Sequence, residues 1–213
     1  MKTLRLVAMI MALTALPVEG QLEFSGGMNL SDLKGALGGS EIQGATNRAG
    51  MFFGIDLIIP TGGPGLGLGA GWSQKGGEQL RTDPATQQEI ARLIDLEYIE
   101  VPIHVRIPLV SAGPTTFNLV LGPTFGFKIG CNVTEGLDVA QKCASVVNDR
   151  PDFKKTDIGG TAGLGISFDL GGIRYAGFDV RYTTGMTSIN KISTDALRNR
   201  TLSIQTHVGL GIF

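Results

Sequence analysis

Strict alternation of side-chain character is the feature that most narrows what this chain can become. Between Phe117 and Ile129 every odd position is apolar (Phe117, Leu119, Leu121, Pro123, Phe125, Phe127, Ile129), whereas the even positions are Asn118, Val120, Gly122, Thr124, Gly126 and Lys128. Successive side chains of a β-strand point to opposite faces, so a period of two makes a strand with one bulky face and one small or polar face. Thirteen residues at about 3.3 Å each, tilted by 35–45°, reach about 30 Å, enough to cross the apolar band of an outer membrane, about 25 Å. The rhythm returns over residues 50–59, 65–73, 99–107 and 157–168, and in weaker form over 22–30, 173–184 and 201–213, which makes eight strands.

The connections between these strands alternate short and long. Pro60–Pro64, Pro108–Thr115 and Asp169–Gly172 are short; residues 31–49, 76–92, 131–156 and 185–200 are long. That alternation, with an even strand count, predicts an all-β fold: an eight-stranded antiparallel up-and-down transmembrane β-barrel, short turns on the periplasmic side and long loops outside. Within the long connections, Asp83-Pro84 followed by ATQQEIARLI carries the start signals of a short helix.

Composition decides which face meets lipid. Gly contributes 32 of 213 residues, and along several strands it alternates with aliphatic residues, as in Gly65, Gly67, Gly69 and Gly71 against Leu66, Leu68, Ala70 and Trp72. A soluble lipocalin-like carrier would turn the aliphatic face inward and leave Gly, a poor strand former, facing water. With the aliphatic face in lipid, Gly lies inside a barrel just wide enough for side chains to fill, and makes room there for Asp56, Glu100, His104, Arg106, Lys128, Asp179 and Arg181. These groups are expected to form an interior charge network that plugs the lumen; arranged around a wet path they would instead line a narrow passive channel. Phe24, Trp72, Tyr98, Phe127 and Tyr182 are expected in the interfacial girdles.

The ends and the cysteines fix the compartment. Lys2 and Arg5 precede an apolar run from Leu6 to Val18 that ends near Gly20, the order of a cleavable signal peptide and too short for a spanning helix. Residues 1–20 are therefore expected to be removed, leaving a barrel domain over 21–213. Cys131 and Cys143 both fall in the exported part and are expected to pair as a disulfide. With a net charge of -1 and 17% charged residues the chain is neither a nucleic-acid binder nor a disordered one.

Three short stretches, GMNLS at Gly27–Ser31, SQKGG at Ser73–Gly77 and LEYIEVPIHVRI at Leu96–Ile107, resemble the PorT-type outer-membrane β-barrel domain family. Gly27, Asn29, Ser31, Ser73, Lys75, Gly76, Tyr98, Ile99, Glu100 and Pro102 match its elements on the first, third and fourth strands, with Val101 a conservative departure. The resemblance implies an outer-membrane barrel, most members having no characterised activity and one relative serving protein secretion. Phe213 ends the chain with an aromatic, similar to the signal read by the outer-membrane assembly machinery, but Leu202, Ile204, Val208, Leu210 and Ile212 share the opposite parity. Either a bulge near Gly209–Gly211 turns Phe213 outward or that signal is degenerate.

Catalytic chemistry finds no foothold. His104 and His207 point inward by parity and are expected as hydrogen-bonded interior side chains. Ser203 is four residues from His207, about 13 Å along a strand and too far for a nucleophile–base pair. Two histidines without further ligands make no zinc site, and the Gly-rich runs at Gly65–Gly69 and Gly163–Gly165 lack the helix and lysine of a phosphate loop. No catalytic residue, metal or cofactor is expected. The expected role is structural or interactive: a barrel in the lipid bilayer of the outer membrane, meeting extracellular or envelope proteins through loops 31–49, 76–92, 131–156 and 185–200.

Overall fold

The computed structural model of the chain describes residues 20–37, 40–41, 48–82, 89–136, 139–143, 152–172, 174–191 and 196–211. The expected signal peptide up to residue 19 and Phe213 lie outside the described residues. Among the described residues ten strands follow in order: β1 Gln21–Leu37, β2 Ser40–Glu41, β3 Arg48–Pro60, β4 Gly65–Thr82, β5 Glu89–Ala112, β6 Thr115–Glu135, β7 Gln141–Lys142, β8 Thr156–Asp169, β9 Arg174–Gly185 and β10 Leu197–Gly211. The two-residue strands β2 and β7 fold back on β1 and β6. The other eight form an antiparallel up-and-down ring, each paired with its neighbour in sequence and β10 paired back onto β1 from Gln21↔Gly211 to Gly35↔Leu197. Closure satisfies the backbone within the ring, the condition for a sheet in hydrocarbon, where each unpaired polar group costs several kcal/mol.

The short turns gather at one end. Thr61 N donates to Pro64 O at 3.0 Å. Gly113 and Pro114 alone join β5 to β6, Gly113 at φ 59°, so this turn is tighter than the expected Pro108–Thr115. Gly171 N donates to Asp169 Oδ1 at 2.8 Å in the third.

The aliphatic face points outward. Phe24, Met28, Met51, Phe53, Leu68 and Leu164 are each at least half exposed, while Glu23, Asp56, His104, Asp179 and His207 inside are nearly inaccessible. That polarity is the reverse of a soluble carrier and rules out the lipocalin-like arrangement.

Away from the turn end the polarity reverses, and several expectations fail there. On β5, Ile99, Ile103 and Val105 face out at odd positions, whereas Ile94, Leu96 and Tyr98 face in at even ones and are fully buried. Leu33 on β1 and Leu197 on β10 are likewise buried inside, above the outward Leu202 and Ile204. Tyr98 is therefore an interior residue, not part of a girdle. The strands continue far past the membrane: β1 to Leu37, β4 to Thr82, β5 from Glu89, β6 to Glu135. The connections expected over 31–49, 76–92, 131–156 and 185–200 are accordingly shorter than expected. Residues 89–94, within the expected helix, are strand, because Ile90, Arg92 and Ile94 extend the inner face of β5 against β4. No bulge interrupts the pairing of β10 with β1 as far as Gly211.

Candidate functional site

The lumen is the place where polar side chains converge, and it is built in storeys. At the turn end a cavity of about 430 Å³ opens between Gln21, Thr116, Asn118, Arg174 and Tyr175, with Arg106 in its lining. Above it lies a charged storey centred on Arg106. Its Nη2 donates to Glu23 Oε1 and to Asp179 Oδ2, both at 3.1 Å, and its Nη1 donates to His207 Nε2 at 3.3 Å. Arg181 Nη2 donates to the same Asp179 oxygen at 2.6 Å, and Tyr175 Oη donates to Glu23 Oε2 at 2.9 Å. Two guanidinium groups thus share one carboxylate. Breaking a buried, hydrogen-bonded pair of this kind costs about 3–5 kcal/mol, because the partner is left charged and dry.

His104 stands apart from its expected role. Its Nδ1 is 3.8 Å from Asp56 Oδ1, and neither ring nitrogen has a hydrogen-bond partner among the described residues, beside a small void of about 40 Å³. Ser203 does not serve His207 either; its Oγ donates to Asn29 Oδ1 at 2.7 Å.

Glycine explains how so many large polar groups fit. In the pairing of adjacent strands Gly67 lies opposite His104, Gly69 opposite Asp56, Gly165 opposite Asp179, and Gly177 opposite His207. A Cβ at these glycines would stand between 1.9 and 2.3 Å from the facing side chain. Each interior ring or carboxylate is therefore seated over the missing side chain of the next strand, which accounts for the Gly-rich inner face.

The next storey is a polar belt, and the residues that carried the family resemblance meet in it. Asn29 Nδ2 donates to Ser73 Oγ at 2.9 Å and to Gln74 O at 3.2 Å. Lys75 Nζ pairs with Glu100 Oε1 at 2.5 Å and lies over the Tyr98 ring. Asn199 Nδ2 donates to Tyr98 Oη and Asp157 Oδ2, and Ser31 Oγ meets Thr201 Oγ1 at 3.2 Å. Gly27 and Gly76 are needed because a side chain would strike backbone: Ile204 O at 2.0 Å and Ile94 O at 1.9 Å, the second at φ 145°. Pro102, half-buried on β5, lines the small void beside His104.

An apolar roof closes the loop end. Leu33, Ile94, Leu96, Tyr98, Val133, Phe153, Ile189 and Leu197 form one cluster, none more than 4% exposed. Phe153 and Ile189 come from the segments before β8 and after β9, tied by Lys154 N donating to Ile189 O at 2.7 Å. The Cys131–Cys143 disulfide is formed, with Cα atoms 5.4 Å apart, and packs against the roof.

Of the expected interior charges, Arg106, Asp179 and Arg181 come together, Glu100 belongs to the belt with Lys75, and Lys128 leaves the network. Lys128 Nζ donates to Phe153 O at 2.6 Å beneath the roof and is half-buried. A register shift in the β5–β6 pairing, where Tyr98 faces Lys128 but Glu97 faces Gly130, leaves Ile129 as an extra residue; beyond it Val133 points inward. Glu23, Tyr175, Asp157 and Asn199 were missed as interior partners, although Glu23 alternates with Leu22 and Phe24, and Asp157 shares the inner parity of Thr161. Among the described residues no three His, Cys, Asp or Glu side chains are grouped to hold a metal ion.

A ring of eight strands, apolar outside and filled with paired charges inside, agrees with what sequence comparison finds. Residues 19–191 match the family described as outer membrane protein beta-barrel domain. The chain belongs to this family. It is an outer-membrane protein and sits in the lipid bilayer of that membrane. Solved barrels are similar in shape: Neisserial surface protein A, at 12% identity and a TM-score of 0.48 over 90% of this chain and 97% of that one; OprG from Pseudomonas aeruginosa, at 13% and 0.46 over 91% and 97%; and Ail from Yersinia pestis, at 11% and 0.42 over 90% and 99%. No curated protein matches the sequence.

Proposed function

We propose that this member of the family is a closed barrel with a structural or interaction role in the envelope, its lumen filled by side chains and its loop end presented to partners or to the environment. The observation that carries this reading is the roof: eight apolar side chains, each no more than 4% exposed, lie across the loop end of the lumen above the belt and the charged storey. A solute entering the cavity at the turn end meets paired charges, then the polar belt, then this apolar layer. The reading requires no catalytic residue, metal or cofactor. The narrow PorT-type subgroup fits it through the belt residues Asn29, Ser73, Lys75, Tyr98 and Glu100. Delivery to the membrane falls to the outer-membrane assembly machinery, and contact with other proteins to the segments within 31–49, 76–92, 131–156 and 185–200.

The alternative, a narrow passive channel, draws on the cavity of about 430 Å³. Purified protein in a planar bilayer separates the two. The closed barrel gives no conductance steps at physiological salt; regular steps that persist across preparations would sink it and promote the channel.

A further inference from the structure

At the seam where the ring closes, the outward face changes character within one rung. Leu30 pairs with Leu202, and both belong to the apolar outward series. The next outward rungs are Asp32 with Arg200 and Lys34 with Arg198. Two residues along each strand the interior becomes apolar as well, with Leu33 and Leu197 buried. Both faces thus mark the same height as the boundary of the hydrocarbon. Immediately above it, three cations stand beside one carboxylate on the outer surface. Arg198 and Lys34 are exposed, and neither they nor Arg200 form an ion pair within 4.0 Å among the described residues. The corresponding stretch of β4 and β5 carries Gln74, Glu97 and Asp95, the last paired with Arg48, so that side of the ring has no excess of positive charge at this height.

We infer that Lys34, Arg198 and Arg200 form a binding site for the phosphate of a lipid headgroup in the outer leaflet. The lipid is the occupant because of the height: a phosphate whose acyl chains pack on Leu30, Leu202 and Tyr182 lies level with the three cations. A guanidinium presents paired N–H donors that match phosphate oxygens, and Lys34 adds a mobile point charge. A cation near an anionic lipid surface strengthens association about five-fold, so removing the two arginines costs about 25-fold. The inference rests on the place of the barrel in the bilayer, and stands or falls separately from the closed lumen.

The test is equilibrium binding of phosphatidic acid to the full chain in zwitterionic detergent, read by native mass spectrometry with phosphatidylcholine as competitor. The expected result is a preference for phosphatidic acid that falls about 25-fold in Arg198→Gln/Arg200→Gln. In Lys142→Gln/Arg174→Gln, which removes the same charge elsewhere, it changes less than about two-fold, since screening within about 8–10 Å isolates distant sites. No preference in the wild type, or equal loss in both doubles, overturns the site. Displacement of the lipid by an equal concentration of inorganic phosphate overturns the lipid as its occupant. Folding of each variant is checked by the mobility shift between boiled and unboiled samples. If the arginine double does not fold, the exposed Lys34→Gln carries the test alone, with a loss of about five-fold expected and no loss contradicting the inference.

Discussion

The two halves of this barrel solve opposite solvation problems with the same strands. In the half nearer the turns, Ile99, Ile103 and Val105 of β5 face lipid and Glu100, His104 and Arg106 face inward. In the loop half of the same strand, Ile94, Leu96 and Tyr98 face inward and Leu93, Asp95 and Glu97 face out. The first half has no hydrophobic drive to fill its interior, since the apolar face already lies in hydrocarbon; its inside is specified by ion pairs and hydrogen bonds that are costly only if left incomplete. The second half has water outside and keeps its shape as a small soluble protein does, by burying aliphatic surface. One strand therefore carries both a membrane core and a soluble core, joined by the Asn29–Lys75–Tyr98 belt.

Arg106→Ala strikes the membrane half hardest. It leaves Glu23 and the Arg181-shared Asp179 without their 3.1 Å partner, a loss of about 3–5 kcal/mol. The expected outcome is a clear fall in the temperature at which the unboiled band converts to the unfolded one on a denaturing gel. Adding Glu23→Gln should recover part of that loss, because the second change removes the stranded charge. An unchanged midpoint in Arg106→Ala would mean that the charged storey does not hold the barrel.

Phe153→Ala strikes the other half. Phe153 is 1% exposed in the roof, and truncating a buried Phe costs about 3 kcal/mol or more. The expected outcome is rapid protease cleavage within residues 131–156 with little change in the gel midpoint. Conductance should stay silent, because the belt and charged storey still fill the lumen; channel steps in this variant would show that the roof alone seals it.

A smaller effect on the same half is expected from Cys131→Ser with Cys143→Ser, about 2–3 kcal/mol for a loop of this length. Both cysteines pack against the roof. Faster proteolysis of residues 131–156 with an unchanged midpoint is the signature; a fall in the midpoint would place the staple in the membrane half.

The same division governs what the sequence reveals. Inside the bilayer, bulky residues recur at every second position with Gly or charge between them, so the eight strands, their order, the outward face and the inward Arg106, Asp179 and Arg181 are legible. Beyond the bilayer the apolar residues move to the other parity, and the alternation that identifies a strand breaks between Tyr98 and Ile99 although the backbone runs on without interruption. Periodicity alone reads that break as a strand end, which is why the strands look short and Tyr98 looks like a girdle residue. The extra residue at Ile129 hides a second reversal, and Lys128, opposite Tyr98, stands at the level of the roof, whereas Arg106 of the charged storey faces Val120 further down β6. Pairing is less legible still: Glu23 has the right parity, but its contact with Arg106, 83 residues away, follows from ring closure and not from local pattern.

Asn29→Ala, expected to cost about 1–2 kcal/mol, tests how the halves are joined. Asn29 reaches β4 through Ser73 and Gln74, and β10 through Ser203. Its loss unties three strands at the level where the interior changes from polar to apolar, without removing any charge or any roof side chain. If the belt couples the two halves, this variant alone lowers the gel midpoint and speeds loop proteolysis together, each by less than Arg106→Ala or Phe153→Ala does. A change in only one readout would assign the belt to one half and leave the two as separate cooperative units along continuous strands, as local opening energies permit.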